Sequence, residues 1–201
     1  MARAIQPLKH LVVANGEPLV WGRRTYVMGI INVTPDSFSG DGLDADIPAI
    51  VEQAMRFQSE GADFLDVGAE STRPNSVRVS ESEELARLIP AIEAIASKVK
   101  IPISVDTHKS GVARRAIQAG AVIINDVWKL QVDPKIGQVA AEFGTPLILM
   151  HNQETLQYND LIPDIIASLA NSVDAALKFG VAGENIIIDP GIGFGKTPDH
   201  N

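Results

Sequence analysis

Six short apolar stretches of this sequence each end in polar side chains that can bind a ligand or exchange a proton. A carboxylate in such a place can accept two N–H donors of an amino-heterocycle, and an asparagine offers both a donor and an acceptor. A polar group at the end of a buried strand must be solvated or used. These residue types and spacings predict a site for a flat, nitrogen-rich ligand. The side chains are Asn32, Asp66, Glu70, Asp106, Asn125, Asp126, His151 and Asp189.

Some of these side chains also have an ordinary structural interpretation. Asp106 and Asp126 each precede a predicted helix, so either carboxylate could cap that helix or hydrogen-bond the following loop. His151 has no second ligand at metal-binding spacing, which favours a structural histidine over a metal site. From the residues alone both interpretations stay open.

Two polar stretches follow the first two predicted strands. Residues 28–39 (MGIINVTPDSFS) begin as an apolar run and continue into turn residues, which predicts a buried strand followed by a mobile loop. Residues 70–74 (ESTRP) join hydroxyls to a guanidinium, and arginine binds phosphate or carboxylate in a bidentate manner. The alternative for residues 70–74 is a surface ion pair.

Residues 189–197 (DPGIGFGKT) partly match a phosphate-binding loop. The phosphate-loop signature requires a glycine five residues before Gly195, and that position is Pro190, so the match fails. Three glycines can still bring the backbone close to a flat ligand. The alternative is a plain flexible loop.

The hydrophobic pattern predicts alternating strands and helices. Ser80 and Glu83 form a capping box before the clearest helix. Asn15-Gly16 between apolar flanks predicts an N-terminal β-hairpin over residues 11–21. Strands are predicted over residues 27–33, 64–69, 103–107, 122–127, 146–151 and 186–189, and helices over 48–60, 81–98, 110–119, 134–143 and 161–179.

Such alternation predicts an α/β fold with a parallel sheet, either doubly wound or a (β/α)8 (TIM) barrel. No Gly-x-Gly-x-x-Gly follows the first strand, and six polar strand ends suit the single active-site face of a barrel. A barrel needs eight units over about 250 residues. We therefore expect residues 1–201 to form one barrel domain truncated to about six β/α units, with strands 7 and 8 missing.

Composition excludes several classes of protein. The formal net charge of −8 argues against sequence-independent nucleic-acid binding. The absence of cysteine excludes disulfides and thiolate metal sites. No apolar run reaches the length of a signal sequence or a membrane span, so we expect a cytoplasmic protein.

Six stretches together resemble the dihydropteroate synthase family, in family order and across nearly the whole chain. The resemblance implies a barrel enzyme that joins a pterin pyrophosphate ester to p-aminobenzoate, releasing 7,8-dihydropteroate and pyrophosphate in folate biosynthesis. The first and last stretches are nearly diagnostic. The six are residues 28–39, 66–74 (DVGAESTRP), 104–107 (SVDT), 124–127 (INDV), 150–151 (MH) and 189–197.

The resemblance also implies roles for individual residues. Asp106, Asn125 and Asp189 would hold the pterin ring, and Asn32 would bind the Mg²⁺ that accompanies the pyrophosphate. The remaining substrate-binding residues would enclose p-aminobenzoate, the pyrophosphate or the edge of the pterin. These residues are Ser37, Phe38, Thr72, Arg73, Pro74, Met150 and Phe194.

The family's seventh strand brings a lysine to the pterin, and its eighth brings an arginine and a histidine to the pyrophosphate. Residues 1–201 contain neither strand, so we expect this stretch alone to be inactive. The resemblance also implies that the full-length enzyme is a homodimer. One alternative is a pterin-binding methyltransferase that acts between methyltetrahydrofolate and a corrinoid. Another is a non-catalytic pterin-binding fragment.

Overall fold

The structure is a computed structural model that describes residues 19–33, 46–70 and 78–201. The hairpin predicted over residues 11–21 lies mostly outside the described residues. In the described part of the chain, six parallel strands follow one another, each within two residues of its predicted bounds. They are β1 Met28–Asn32, β2 Phe64–Gly68, β3 Ile103–Asp106, β4 Ile123–Asp126, β5 Leu147–Met150 and β6 Ile186–Asp189.

Among the described residues, five α-helices connect these strands, as predicted. None of the described helices combines the length and the apolarity that a membrane crossing demands. Short 3₁₀ turns at Gly183–Asn185 and Pro198–His200 flank the last strand. The helices are α1 Ile47–Glu60, α2 Glu81–Ala96, α3 Ser110–Ala119, α4 Lys135–Phe143 and α5 Leu161–Lys178.

Helix α2 begins where the sequence places its capping box. The Ser80 hydroxyl accepts a hydrogen bond from the Glu83 backbone N–H at 3.3 Å. The Glu83 carboxylate accepts one from the Ser80 backbone N–H at 3.2 Å. Two N–H groups that a helix start leaves without partners are thereby satisfied.

The sheet order is β1-β2-β3-β4-β5-β6, with every neighbouring pair parallel. Right-handed crossovers between strands in sequential order place all the helices on one face of the sheet. A doubly wound sheet would instead reverse its strand order and carry helices on both faces. The strand order therefore favours the barrel over the doubly wound sheet, and the described residues form six consecutive units of it.

The two faces of the sheet bury different side chains. The outward face packs against the helices through fully buried aliphatic residues, among them Ile31, Val67 and Val105. On the inward face Ile123 and Ile148 pack with Leu19 in a smaller apolar cluster. The outward contacts hold the strands in register. They thereby fix the positions of the side chains at the carboxyl ends of the strands.

Candidate active site

A row of polar residues crosses the inward face near the carboxyl-terminal edge of the sheet. The strand register pairs Asn32 with Gly68, Gly68 with Asp106, and Asp106 with Asn125. We call these four positions, Asn32, Gly68, Asp106 and Asn125, the polar row; Gly68 carries no side chain and separates the polar residues Asn32 and Asp106. Alternate residues of a strand share a face, so Asp66 lies on this face one step deeper than Gly68.

The same face continues across β5 and β6. Asn125 pairs with Ile148, and Ile148 pairs with Ile187. Met150 and Asp189 stand two residues further along these strands, and they pair with each other. The side chains of Asp106, Asn125, Met150 and Asp189 therefore lie on one face at one edge. Of these four, the strand-end pattern predicted Asp106, Asn125 and Asp189 to lie together, and it predicted His151 where the structure places Met150.

Asp66 fixes the orientation of the Asn125 side chain through a hydrogen bond. Its Nδ2 donates a hydrogen bond to Asp66 Oδ2 at 2.9 Å, and both residues are buried. Asp66 Oδ1 and the Ser104 hydroxyl are buried without hydrogen-bond partners in the described part of the chain. Burial raises the pKa of the Asp66 carboxyl. Sequence patterns singled out Asp66 only as a strand-end carboxylate, not as the support of Asn125.

Asp106 stands in a strongly acidic environment. A Cβ at Gly68 would lie 3.3 Å from Asp106 Oδ2, so the glycine leaves room for this carboxyl group. Burial raises the pKa of Asp106 well above its ordinary value, and the negative charge of Asp66 raises it further. Helix α3 is preceded by Lys109 at its N-cap position, so Asp106 does not cap that helix.

A partly buried ion network, in which Glu84 is fully buried, lies beside Asp106. Lys109 Nζ donates hydrogen bonds to Glu70 and to Glu84 Oε2, the latter at 2.5 Å. Thr107 Oγ1 donates to Glu84 Oε1 at 2.6 Å. Burial opposes the charge of Lys109, but the hydrogen bonds to Glu70 and Glu84 outweigh it and raise the Lys109 pKa. Glu84 was missed from the sequence because it reads there as an ordinary first-turn glutamate of α2.

Asp126 has the structural role that the sequence left open. Its Oδ1 accepts a hydrogen bond from the Trp128 N–H at 2.9 Å, and its Oδ2 accepts one from the Leu130 N–H at 2.6 Å. These bonds hold a turn in which Lys129 and Leu130 have φ angles of 50° and 67°. Burial raises the pKa of the Asp126 carboxyl to about 6.

The glycine loop after β6 folds back on Asp189. The Gly191 N–H donates to Asp189 Oδ1 at 2.7 Å, and the Phe194 N–H donates to Gly191 O at 3.0 Å. Lys196 is buried and donates to protein acceptors, so its ammonium is not presented to a phosphate. The failed match to a phosphate-binding loop agrees with this geometry.

The remaining predicted site residues divide into two groups. Asn32 ends β1 with its side chain exposed at the edge of the sheet, and His151 is buried with Nδ1 3.1 Å from Lys196 Nζ. Within residues 19–33, 46–70 and 78–201, no cluster of three or more His, Cys, Asp or Glu could hold a metal ion. The other group lies outside the described residues: Ser37, Phe38, Thr72, Arg73 and Pro74.

The fold and this edge of the sheet define a class of protein. Residues 28–201 match the family described as "Pterin binding enzyme", so this chain belongs to the pterin-binding enzyme family. The dihydropteroate synthase of Bacillus subtilis is 49% identical over 183 residues, which are 91% of this chain and 64% of that protein.

Solved structures of similar proteins carry the same name. The Xanthomonas albilineans dihydropteroate synthase, solved with 4-aminobenzoic acid, matches with a TM-score of 0.84 and 42% identity, over 89% of this chain and 66% of that one. The same enzyme in complex with 7,8-dihydropteroate matches with a TM-score of 0.80 and 40% identity, over 89% of this chain and 65% of that one. This chain therefore spans about two thirds of the length of these relatives.

Proposed function

We propose that the protein is a dihydropteroate synthase. It condenses 6-hydroxymethyl-7,8-dihydropterin pyrophosphate with p-aminobenzoate, giving 7,8-dihydropteroate and pyrophosphate. The observation that carries the proposal is the gathering of Asp106, Asn125 and Asp189 on one face at one edge of the sheet. The relatives solved with 4-aminobenzoic acid and with 7,8-dihydropteroate support the same substrates for this chain.

The three residues suit the edge of a pterin ring. A carboxylate accepts the paired N–H groups of an amino-pyrimidine, and an amide both donates and accepts. Asp66 takes one N–H of the Asn125 amide, which leaves Oδ1 and the second N–H for the ring. Met150 and Phe194 would border the flat faces of the ring, while Asp106 and Asp189 would reach its polar edges.

The reaction requires one bond to break and one to form. The C–O bond between the pterin methylene and the pyrophosphate breaks, and the pyrophosphate leaves with the bonding electrons. The amine nitrogen of p-aminobenzoate then forms a C–N bond to that carbon and releases a proton to solvent. Positive charge that develops on the methylene would be stabilised by the carboxyl oxygens of the pocket, some of which Asp106 and Asp66 supply.

The leaving pyrophosphate needs charge neutralisation. When bound, Mg²⁺ would supply that neutralisation as a Lewis acid. Asn32 belongs to the polar row and offers an exposed amide oxygen, and Mg²⁺ is bound by few protein oxygens together with phosphate oxygens and water. An amide oxygen is a ligand that Mg²⁺ accepts, so Asn32 would hold the ion. Arg73 and Thr72, in the polar stretch 70–74, would bind the pyrophosphate and p-aminobenzoate.

The methyltransferase alternative shares the pterin-binding carboxylates but has no use for residues 32–39 as a pyrophosphate loop. A non-catalytic pterin-binding protein would keep the ring site without turnover. We further propose that the protein works in the cytoplasm, and that it is a homodimer as its family resemblance implies. Light scattering coupled to size exclusion would measure the oligomeric state.

A turnover assay on the full-length gene product tests the proposal. We expect pyrophosphate release that requires the pterin pyrophosphate, p-aminobenzoate and Mg²⁺ together, and dihydropteroate as the product. Binding of methyltetrahydrofolate without any pyrophosphate release would favour the methyltransferase. Pterin binding with no release under any condition would favour the non-catalytic protein.

A further inference from the structure

Lys196 is a buried lysine that the proposed reaction does not use. Only 8% of its surface is exposed. Its Nζ donates to Gly191 O at 2.9 Å, to Phe194 O at 3.0 Å and to His151 Nδ1 at 3.1 Å. An ammonium group has three N–H donors, so these three acceptors use all of them.

The ammonium has no salt-bridge partner in the described part of the chain, where the ion pairs involve other residues. A buried charge without an ion pair is costly unless it is fully hydrogen-bonded. A hydrophobic side chain would avoid that cost if Lys196 only filled space. The position of the three acceptors indicates what the charge does instead.

Two of the acceptors are the ends of one turn. Gly191 O also accepts the Phe194 N–H at 3.0 Å, so residues 191–194 form a closed turn. The Gly191 N–H donates to Asp189 Oδ1 at 2.7 Å. The Lys196 ammonium thus binds both ends of the turn 191–194, and the first residue of that turn is bonded to the Asp189 carboxylate.

The third acceptor joins this turn to the segment after β5. A Cβ at Gly191 would lie 1.9 Å from His151 O, and a Cβ at Gly195 would lie 2.7 Å from Gln153 O. The Tyr158 hydroxyl donates to Gly195 O at 2.8 Å. The glycine loop therefore lies directly against the backbone of residues 151–153. The Lys196 ammonium lies between the two segments and hydrogen-bonds both.

We propose that Lys196 is a positioning residue, whose ammonium fixes the turn 191–194 against His151 and thereby orients Asp189 and Phe194 for the pterin ring. The ligand named here rests on the proposed function. The loop geometry does not, because it follows from contacts within this chain.

The arrangement fixes the state of His151. A lysine ammonium can only donate, so Nδ1 of His151 must accept and the proton of the neutral ring must sit on Nε2. Burial, then the charges of Lys196 and Lys129, lower the pKa of His151 to about 4. His151 is therefore neutral at physiological pH, and its tautomer reports on Lys196.

The test compares Lys196→Met with Lys178→Met, a matched change at the exposed end of α5. Affinity for 6-hydroxymethylpterin is measured by calorimetry, the His151 state by ¹⁵N NMR of the imidazole, and the loop by amide hydrogen exchange at Phe194. We expect Lys196→Met to weaken affinity about tenfold or more, the equivalent of about 1.4 kcal/mol. We also expect faster exchange at Phe194 and a His151 pKa that moves up from about 4, with Lys178→Met unchanged.

Unchanged affinity, exchange and His151 signals in Lys196→Met would overturn the proposal. If the wild type does not bind the pterin, the proposed function fails, while the exchange and imidazole measurements still decide the role of Lys196. If Lys196→Met does not fold, His151→Asn and His151→Leu replace it. Asparagine offers Lys196 an acceptor and leucine does not, so faster loop exchange only in His151→Leu would support the proposal, and equal exchange would overturn it.

Discussion

Asn125 Nδ2 donates a hydrogen bond to Asp66 Oδ2 at 2.9 Å on the inward face of the sheet. The two residues stand on β4 and β2, with β3 between them. A carboxylate accepts but does not donate, so Asp66 requires the nitrogen of the amide to face it. The orientation of a ring-binding amide is thus set by a buried residue that the ring need not touch.

Two substitutions at Asp66 separate geometry from charge. Asp66→Asn keeps an oxygen that can accept from Asn125, whereas Asp66→Leu has similar size and no acceptor. We expect pterin affinity within about threefold of wild type for Asp66→Asn, and a loss of about tenfold or more for Asp66→Leu because the amide is no longer oriented. Calorimetry with 6-hydroxymethylpterin measures both; equal losses would assign the effect to charge instead.

Asp106→Asn should stabilise the ligand-free protein while it weakens pterin binding. The raised pKa of Asp106 means that the folded state holds a proton that the unfolded state has lost, so Asp106 costs stability as the pH rises from about 4 through that raised pKa. At neutral pH we expect a gain of roughly 1 kcal/mol, about 2–4 °C in Tm. The gain should vanish below about pH 4. A lower Tm for the variant at pH 7 would contradict this assignment.

Lys109→Met should destabilise the protein strongly, because it leaves the buried Glu84 carboxylate without its cation. Breaking a buried ion pair from one side costs about 3–5 kcal/mol. The double variant Lys109→Met, Glu84→Gln should recover part of that loss, since no buried charge is then left. Urea unfolding measures each free energy.

The control for Lys109 is Arg114→Met, which removes the exposed ion pair to Glu142 at 2.6 Å. Exposed ion pairs contribute little to stability. We expect hardly any change in the urea midpoint for Arg114→Met. A comparable loss in the Lys109 and Arg114 variants would show that burial of Glu84 is not the reason.

Gly191→Ala and Gly193→Ala test how closely the glycine loop approaches residue 151. Both glycines have positive φ, 69° and 82°. Among the described residues, a Cβ at Gly193 meets nothing within 4 Å, whereas a Cβ at Gly191 would lie 1.9 Å from His151 O. We expect about 1–2 kcal/mol of destabilisation for Gly193→Ala from its backbone conformation alone. Gly191→Ala should cost clearly more in the same urea measurement, and equal costs would contradict the close packing.

Much of the fold follows from local sequence patterns. The six strands are continuous apolar runs, and the capping box at Ser80 and Glu83 marks the start of α2, so both features were predicted correctly. The polar strand ends also predicted which residues share one edge, because parallel strands in a barrel present their carboxyl ends together. Predicting that Asp106, Asn125 and Asp189 share this edge required no knowledge of side-chain packing.

Contacts between distant segments could not be predicted in the same way. Lys109 meets Glu84 across 25 positions of sequence, and Lys196 meets His151 across 45. Neither pair leaves a periodic or local signal, and Gly195-Lys196-Thr197 even suggests a phosphate site. From sequence alone, Asp126 could be an active-site carboxylate, a helix cap or an acceptor for the following loop. Its bonds to two backbone N–H groups show that it holds the turn after β4.

The central claim is that the inward side chains at the carboxyl-terminal edge form one pocket for a pterin ring. A crystal structure with 6-hydroxymethylpterin bound tests it most directly. The account predicts a ring hydrogen-bonded to Asp106, Asn125 and Asp189 together. A ring bound elsewhere, or in contact with none of these three side chains, would contradict it.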